Sequence, residues 1–353
     1  MLIALINDTH IGARSDSLVV SKYTEKFFSE VFFPNLKARS VTKIVHLGDI
    51  FDRRKYVSFS VLDQAKRYLF DPLREEKIQM DIIVGNHDLA YKNTNDLNSP
   101  MLLLREYDNI KVFKETEEQV IDGTPVIFVP WINDGNKAES LLRIKNSRAR
   151  FLFGHLHMKG FEINRGHVAE DGLEAGEFGN FDGVFSGHFH KKSNIGNVYY
   201  LGTQFEMTWS DFDDYKGFHY LDTDTGTLEF IVNPHKLHHK IFYDDSKTIV
   251  DPHSDMIKDH YIKLIVRSKS DPYLFEKFTS ALTDMQPANL IIVEEREISI
   301  DPLELENIQV EDTPTILKRF VEAIEDKHIP KVKLVNLLSQ LYLEAQDLNT
   351  GAD

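Results

Sequence analysis

One phrase, used five times, constrains this chain more than anything else in it: a short apolar run that breaks into Gly, Asn, Asp or His. Residues 2–6 (LIALI) run into Asn7-Asp8-Thr9-His10, and residues 43–47 (KIVHL) into Gly48-Asp49. Residues 80–84 (MDIIV) run into Gly85-Asn86-His87-Asp88, residues 150–153 (RFLF) into Gly154-His155, and residues 183–186 (GVFS) into Gly187-His188-Phe189-His190. Short apolar runs bounded by polar turn residues read as buried strands. Between the first three, residues 18–36 put Phe27, Phe28, Val31 and Phe32 on one side, and residues 61–75 space Leu62, Ala65, Tyr68 and Leu69 for one helical face. Strand, helix, strand in succession predicts a layered α/β fold. Its loops gather at the carboxyl ends of the strands, the edge where such folds bind ligands.

At 353 residues the chain is long for one core, so one large domain with smaller appendages is expected. Residues 198–232 read as β-rich, with a turn at 222–226, and are expected to complete a second sheet. Residues 233–259 are polar and carry Pro234 and Pro252, which reads as a linker. A small α/β unit over 260–300 follows, with strand 261–266, helix 273–285 and strand 289–295. In the tail, 301–353, Thr313-Pro314 opens one helix, and Pro330 separates it from a second that carries Leu334, Leu338, Leu341 and Ala345 in one stripe. The organisation expected is therefore a domain over 1–232, a linker over 233–259, a small domain over 260–300 and a helical pair over 301–353.

Composition removes several classes of function. No apolar run approaches the roughly 18 residues of a membrane helix, and residues 1–6 lack the basic flank of a signal peptide, so a cytoplasmic protein that does not span a membrane is expected. With no cysteine there is no disulfide or thiol nucleophile, and any metal must be held by nitrogen and oxygen. A net charge of -15 argues against coating nucleic acid through a broad basic face. It leaves room for a nuclease, because bound cations would invert the field where a phosphate approaches.

The five strand ends deliver one set of donors. In extended chain, residues two apart face the same side, so Asp8 with His10, and His188 with His190, can each point into one site. Seven ligands, Asp8, His10, Asp49, Asn86, His155, His188 and His190, exceed the three or four one catalytic ion takes, which implies two metals with Asp49 shared. Imidazole, carboxylate and amide oxygen suit manganese, iron or zinc, whereas magnesium prefers oxygen alone.

In these motifs and their order the sequence resembles the calcineurin-like metallophosphoesterase superfamily, and within it the SbcD-type DNA-repair nucleases, particularly the branch that serves tailed phages. The resemblance implies the metallophosphoesterase fold, two packed mixed sheets flanked by helices in four layers, with a small capping domain that positions DNA. It gives one metal to Asp8, His10, Asp49 and His190, and the other to Asp49, Asn86, His155 and His188. His87 becomes the catalytic histidine, with Asp88 orienting its ring. Asp52 stands where archaeal and eukaryotic relatives often carry His. Further implications are manganese-dependent 3′ to 5′ exonuclease action on duplex ends and endonuclease action on single strands or hairpins. The partner implied is an SMC-like ABC ATPase gripped by the C-terminal helices, in a heterotetramer around a nuclease dimer within the host cytoplasm.

Each of these residues also has an ordinary reading. His157 mimics the later Gly-His-Phe-His, although the family motif points to His155, and His157 falls to a supporting position. His46 reads as a hydrogen-bonded packing residue, and the cluster Pro234-His235-Lys236-Leu237-His238-His239 as polar linker. Arg53, Arg54, Lys191 and Lys192 follow metal motifs and are placed either on DNA phosphates beside the scissile bond or in solvent. The rival functions are a small-molecule or protein phosphoesterase using the same metal pair, and a DNA-end scaffold without catalysis.

Overall fold

The computed structural model describes residues 1–164, 167–247 and 254–295, together with Val321, Lys331, 333–335 and Leu338. The strands in chain order are β1 (Leu2–Ile6), β2 (Lys43–His46), β3 (Gln79–Ile83), β4 (Ile110–Phe113), β5 (Glu117–Ile121), β6 (Thr124–Val129), β7 (Phe151–His155), β8 (Glu162–Asn164) and β9 (His167–Val168). They continue with β10 (Gly183–Gly187), β11 (Ser193–Ile195), β12 (Val198–Tyr200), β13 (Gly217–Asp222), β14 (Leu228–Val232), β15 (His238–Asp244), β16 (Tyr261–Ser268) and β17 (Asn289–Glu294). Two six-stranded mixed sheets result, ordered β14-β13-β1-β2-β3-β4 and β11-β12-β10-β7-β6-β5. β1 to β4 run parallel, as do β6, β7, β10 and β12, so the motif-bearing ends of each sheet share one edge.

Period-two alternation separates the layers. Ala4, Ile6, Ile44, Met80 and Ile82 point into a core shared with helical residues such as Phe27, Phe28, Phe32, Leu69 and Phe70. Ile3, Leu5, Val45 and Ile83 point the other way, into a core with Val126, Phe128, Phe151, Phe153 and Phe185 of the second sheet. There Phe113 stacks on Phe128 with ring centroids 4.2 Å apart. On the far face Ile127, Val129, Leu152 and Val184 pack with Ile144, Phe161 and Phe178. Three cores between four layers give the αββα arrangement of the metallophosphoesterase fold.

The two long helical stretches share one irregularity. Leu18–Lys26 continues through a π-helical turn, Phe27–Phe32, into Phe33–Ala38, and Phe59–Ala65 continues through Lys66–Phe70 into Asp71–Glu75. Each wide turn ends one residue short of a proline, Pro34 or Pro72. A proline has no N–H to return to residue i−4 and its ring crowds that carbonyl, so a locally widened turn lets the helix run on.

Two expectations are corrected. The hairpin β13–β14 completes the first sheet and not the second: β13 pairs antiparallel with β1, from Leu2↔Asp222 to Leu5↔His219, on the side of β1 away from β2. Of that stretch only β12 joins the second sheet, where it pairs with β10 and β11. Likewise, the segment read as linker contains β15, which pairs in parallel with β16 from His238↔Tyr261 onward. Its polar residues hid it: His238 is buried, but the Glu206 carboxylate accepts the N–H groups of Leu237 at 2.7 Å and His238 at 2.8 Å, so the polar start is satisfied inside the protein.

The three-stranded sheet β15-β16-β17 carries one helix, Pro272–Asp284, capped by the Asp271 carboxylate, which accepts from Tyr273 N at 3.0 Å and Leu274 N at 3.1 Å. Tyr243, Ile262, Leu264, Val266, Phe278 and Leu282 form its core. Residues 1–294 make one compact unit. The helical pair expected in 301–353 lies outside the described residues, apart from the few named above.

Candidate metal centre

The loops after β1 and β2 are bound side by side before any side chain is considered. Asp8 N donates to Gly48 O at 2.9 Å, His10 N to Asp49 O at 3.1 Å and Ile11 N to Ile50 O at 2.7 Å. Holding this course requires a left-handed backbone at Asp8 (φ 46), His10 (φ 39) and Asp49 (φ 57), and His188 shares it (φ 88). Side chains other than glycine adopt this region rarely and at a cost, so four such residues at one edge mark a functional site. The glycine before Asp49 is required by space: a Cβ on Gly48 would stand 2.6 Å from His155 Nδ1 and 2.8 Å from the Gly85 backbone.

The seven expected ligands converge here in two overlapping groups. On one side His10 Nε2 lies 3.2 Å from His190 Nε2, 4.0 Å from Asp8 Oδ1 and 3.7 Å from Asp49 Oδ2. On the other, His155 Nε2 lies 3.4 Å from the same Asp49 oxygen and 2.9 Å from Asn86 Oδ1, which is itself 3.0 Å from His188 Nδ1. Asp49 sits between them. Asp8, His10 and His190 bring one ligand atom each within 4.8 Å of one another, and so do Asp8, Asp49 and His155, and His10, Asp49 and His87. Ring nitrogens, carboxylate oxygens and an amide oxygen that face a common point, two imidazoles meeting nitrogen to nitrogen, form a donor set that fits divalent cations.

The cluster's own charges set its protonation when no cation is bound. Burial alone would depress His10 and His155, but the carboxylates of Asp52, Asp49 and Asp8 around the first, and of Asp49 and Asp8 around the second, hold both up at about 9. His190 is driven down to about 4 by burial and by the neighbouring His10. Burial and the nearby His155 push His188 well below its usual value. Asp49 stays ionised well below the usual carboxylate range because the surrounding histidines outweigh its burial.

Asp88 does not orient His87. Its buried carboxylate accepts three backbone N–H groups, from Gly85 at 2.9 Å, Asp49 at 2.8 Å and Ile50 at 3.0 Å, and so ties the loop after β3 to the loop after β2. Burial and the charge of Asp49 nevertheless push it up to about 7. His87 is oriented by backbone instead: its Nδ1 lies 2.7 Å from the carbonyl of Asp52, and its N–H donates to Asp49 Oδ1 at 2.7 Å. The Asp52 carboxylate turns the other way, to 3.4 Å from His10 Nδ1. Asp52 and Asp88 thus contact neighbouring loops and rings, and among the described residues His87 Nε2 has no hydrogen-bond partner.

The remaining expectations separate cleanly. His46 is a packing residue, buried with Nε2 3.1 Å from Thr9 Oγ1 and driven down to about 3 by burial. Arg53 bonds Tyr56 Oη and lies over its ring, Lys191 pairs with Glu162 at 2.5 Å, and Lys192 Nζ stands 3.6 Å above the Phe230 ring. Arg54 has no such partner among the described residues, and its charge helps to lower His87. Sequence reading passed over Trp131, whose ring lies 4.9 Å from that of His188 and 6.0 Å from that of His155. It follows β6 at the same edge, so the apolar run VIFVP before it carried the signal. Lys216, buried between Asp211 and Asp214 and donating to His190 O at 2.8 Å, had no comparable signal.

Comparison with known proteins agrees with this geometry. Residues 1–192 match the calcineurin-like phosphoesterase family model. Exonuclease subunit 1 of Enterobacteria phage T4 is 32% identical over 349 residues, 98% of this chain and 99% of the relative. The DNA double-strand break repair protein Mre11 of Saccharolobus solfataricus is 31% identical over 153 residues, 42% of this chain and 39% of that protein. With both sheets, the Asp/His clusters at their shared edge and a relative matched almost end to end, the chain belongs to the calcineurin-like phosphoesterase family and is a phosphoester-cleaving enzyme.

Proposed function

We propose that this phosphoesterase is a DNA nuclease that works with an SMC-like ABC ATPase in double-strand-break processing and recombination. The observation that carries the reading is the end-to-end likeness to a phage exonuclease subunit, coupled to a complete donor set at the strand ends. One divalent ion is assigned to Asp8, His10, Asp49 and His190, and a second to Asp49, Asn86, His155 and His188, with manganese as the physiological metal. Bound ions would supply charge neutralisation at a phosphodiester and a nucleophile available near neutral pH.

The chain's own residues contribute orientation and proton handling. Asp49 and the Asp88-bound amides fix the two loops, so the donors need not reorganise when substrate arrives. In the neutral His87 ring, donation to the Asp52 carbonyl puts the proton on Nδ1. Nε2 is then a lone pair that can take up a proton and return it to the leaving oxygen. Arg54, unpaired among the described residues and with its charge felt by that ring, is assigned to a phosphate flanking the scissile bond. Residues 233–295 are assigned to positioning DNA and the C-terminal helices to the ATPase, in a heterotetramer around a nuclease dimer. Action is expected 3′ to 5′ on duplex ends and endonucleolytic on single strands or hairpins.

The test is digestion of an end-labelled duplex by the purified chain with manganese, beside Asp49→Ala, with and without the ATPase. Cleavage lost in the variant is the expected result. Hydrolysis of bis-nitrophenyl phosphate without cleavage of any DNA under these conditions would transfer the site to a small-molecule substrate.

A further inference from the structure

His188 turns Nδ1 toward Asn86 Oδ1 at 3.0 Å, and its other nitrogen, Nε2, lies 3.0 Å from Nδ1 of His157. The far nitrogen of His157, Nε2, lies 3.1 Å from Asp171 Oδ1. Only one arrangement of protons satisfies this line while leaving His188 Nδ1 a free lone pair. His188 donates from Nε2 to His157 Nδ1, and His157 donates from Nε2 to the Asp171 carboxylate, both rings being neutral. Reversing the line would place a proton on His188 Nδ1 and close it to a cation.

The backbone around Asp171 is shaped to deliver it. Leu173 N donates to His157 O at 3.0 Å and Lys159 N to Leu173 O at 3.1 Å, so the loop is stitched to the chain just after β7. Between Asp171 and Leu173, Gly172 has φ +116, and a Cβ there would stand 2.6 Å from His157 O and 2.9 Å from the His157 ring. Only glycine allows the loop to lie against the imidazole it serves. Phe189 closes another side, its ring 5.3 Å edge-on from that of His157.

We infer that His157 and Asp171 are positioning residues that form a carboxylate–imidazole relay, fixing the tautomer and ring orientation of His188 for the second metal ion. The inference rests on the reading of His188 as a metal ligand. Outer partners of ligating histidines fix ring orientation and raise basicity, and removing one lowers metal affinity by about 10–100-fold. Asp171 is almost fully exposed, so its contribution is the smaller and the more sensitive to salt.

The experiment is a titration of the full chain with manganese, following free ion by electron paramagnetic resonance, with the metal-free melting temperature measured alongside. In His157→Leu one of the two ions should bind about 10–100-fold more weakly while the other is unchanged. His157→Asn, whose Oδ1 stands in for Nδ1 as acceptor, should restore most of the loss. Asp171→Ala, at an exposed side chain, should leave the melting temperature unchanged, weaken the same ion by about 3–10-fold in the wild-type background and have no effect beside His157→Asn. Two ions bound with wild-type affinity by both His157→Leu and Asp171→Ala would overturn the relay alone. A wild-type chain that binds no manganese would overturn the ligand reading, and the relay with it.

Discussion

The two halves of the metal centre are held by different physics. In the half built on His10 and His190 the supports are charged: the Asp52 carboxylate stands 3.4 Å from His10 Nδ1, and the Lys216 ammonium, itself paired with Asp211, donates to His190 O. In the half built on His155 and His188 the groups that touch the rings are neutral: the Leu47 carbonyl lies 2.7 Å from His155 Nδ1, His157 meets His188 and stands between it and the Asp171 carboxylate, and Trp131 walls both rings. Charged supports are strong where water is excluded but respond to salt and pH, whereas carbonyl and aromatic supports hold a ring by geometry alone. The protein therefore offers two candidate metal positions of unequal character.

Only a residue common to both halves should abolish everything. Asp49 is that residue, and Asp49→Ala should lower hydrolysis of bis-nitrophenyl phosphate on the order of 10³-fold or more, about 4 kcal/mol in the barrier, and weaken both ions together. If one ion is retained at wild-type affinity, the carboxylate serves a single half and the comparison must be redrawn. Asp88 tests the frame rather than the donors. Replacing it with Ala strands three buried N–H groups, so unfolding in denaturant should show a loss of about 3 kcal/mol or more, with Asp88→Asn falling between. A variant of wild-type stability would mean that the two loops keep their places without it.

Asp52 separates the halves. Asp52→Ala should weaken one ion about 10–100-fold and leave the other unchanged, and the residual affinity should depend less on salt than in the wild type. Equal weakening of both ions would show that the halves are electrostatically merged. A smaller, global effect sets the background against which these are read. His219, buried outside the cluster, is driven down to about 3 by burial and the nearby Lys192, against the usual 6.5. Because the folded pKa lies below the unfolded one, the unfolded chain binds the proton first, and the stability due to the neutral ring is lost as pH falls below about 6.5. Between pH 7 and 5 the loss is about 2 kcal/mol, and His219→Phe should flatten that acid limb. An unchanged slope would assign it to other groups.

How far the sequence could see follows from the same contrast. The five motif-bearing strands, and the meeting of the residues at their ends, were legible, because an apolar run of four or five residues followed by Gly and Asp, Asn or His leaves few alternatives; β4 to β6, which lack such an ending, were not read. Nor were the supports. His87 is oriented by a backbone carbonyl and His155 by another, and carbonyls have no residue identity to read. Asp88 lies next to His87 in the chain, which invited a pairing that the fold replaces with three amides from two loops. Lys216 and Asp171 reach the site through turns whose course depends on the sheets already formed. β15 was hidden because its first residue is a histidine satisfied by Glu206, 32 residues earlier.

The smallest expected effects concern the basic residues at the rim, and they set the outer limit of the site. Of the four read as contacts to nucleic acid, Lys191 is paired with Glu162, Lys192 lies on the Phe230 ring, and Arg53 is engaged by Tyr56. Arg54 alone keeps its guanidinium unpaired among the described residues, beside His87. If binding to duplex DNA is measured across a range of salt concentrations, Arg54→Ala should reduce the slope of log affinity against log salt by about one, the signature of one lost phosphate contact. Lys192→Ala should leave that slope unchanged, since the cation is already committed to an aromatic face. The opposite ranking would place the phosphate track along the loop that follows His188 and His190 and not along the one that carries Asp52 and Arg54.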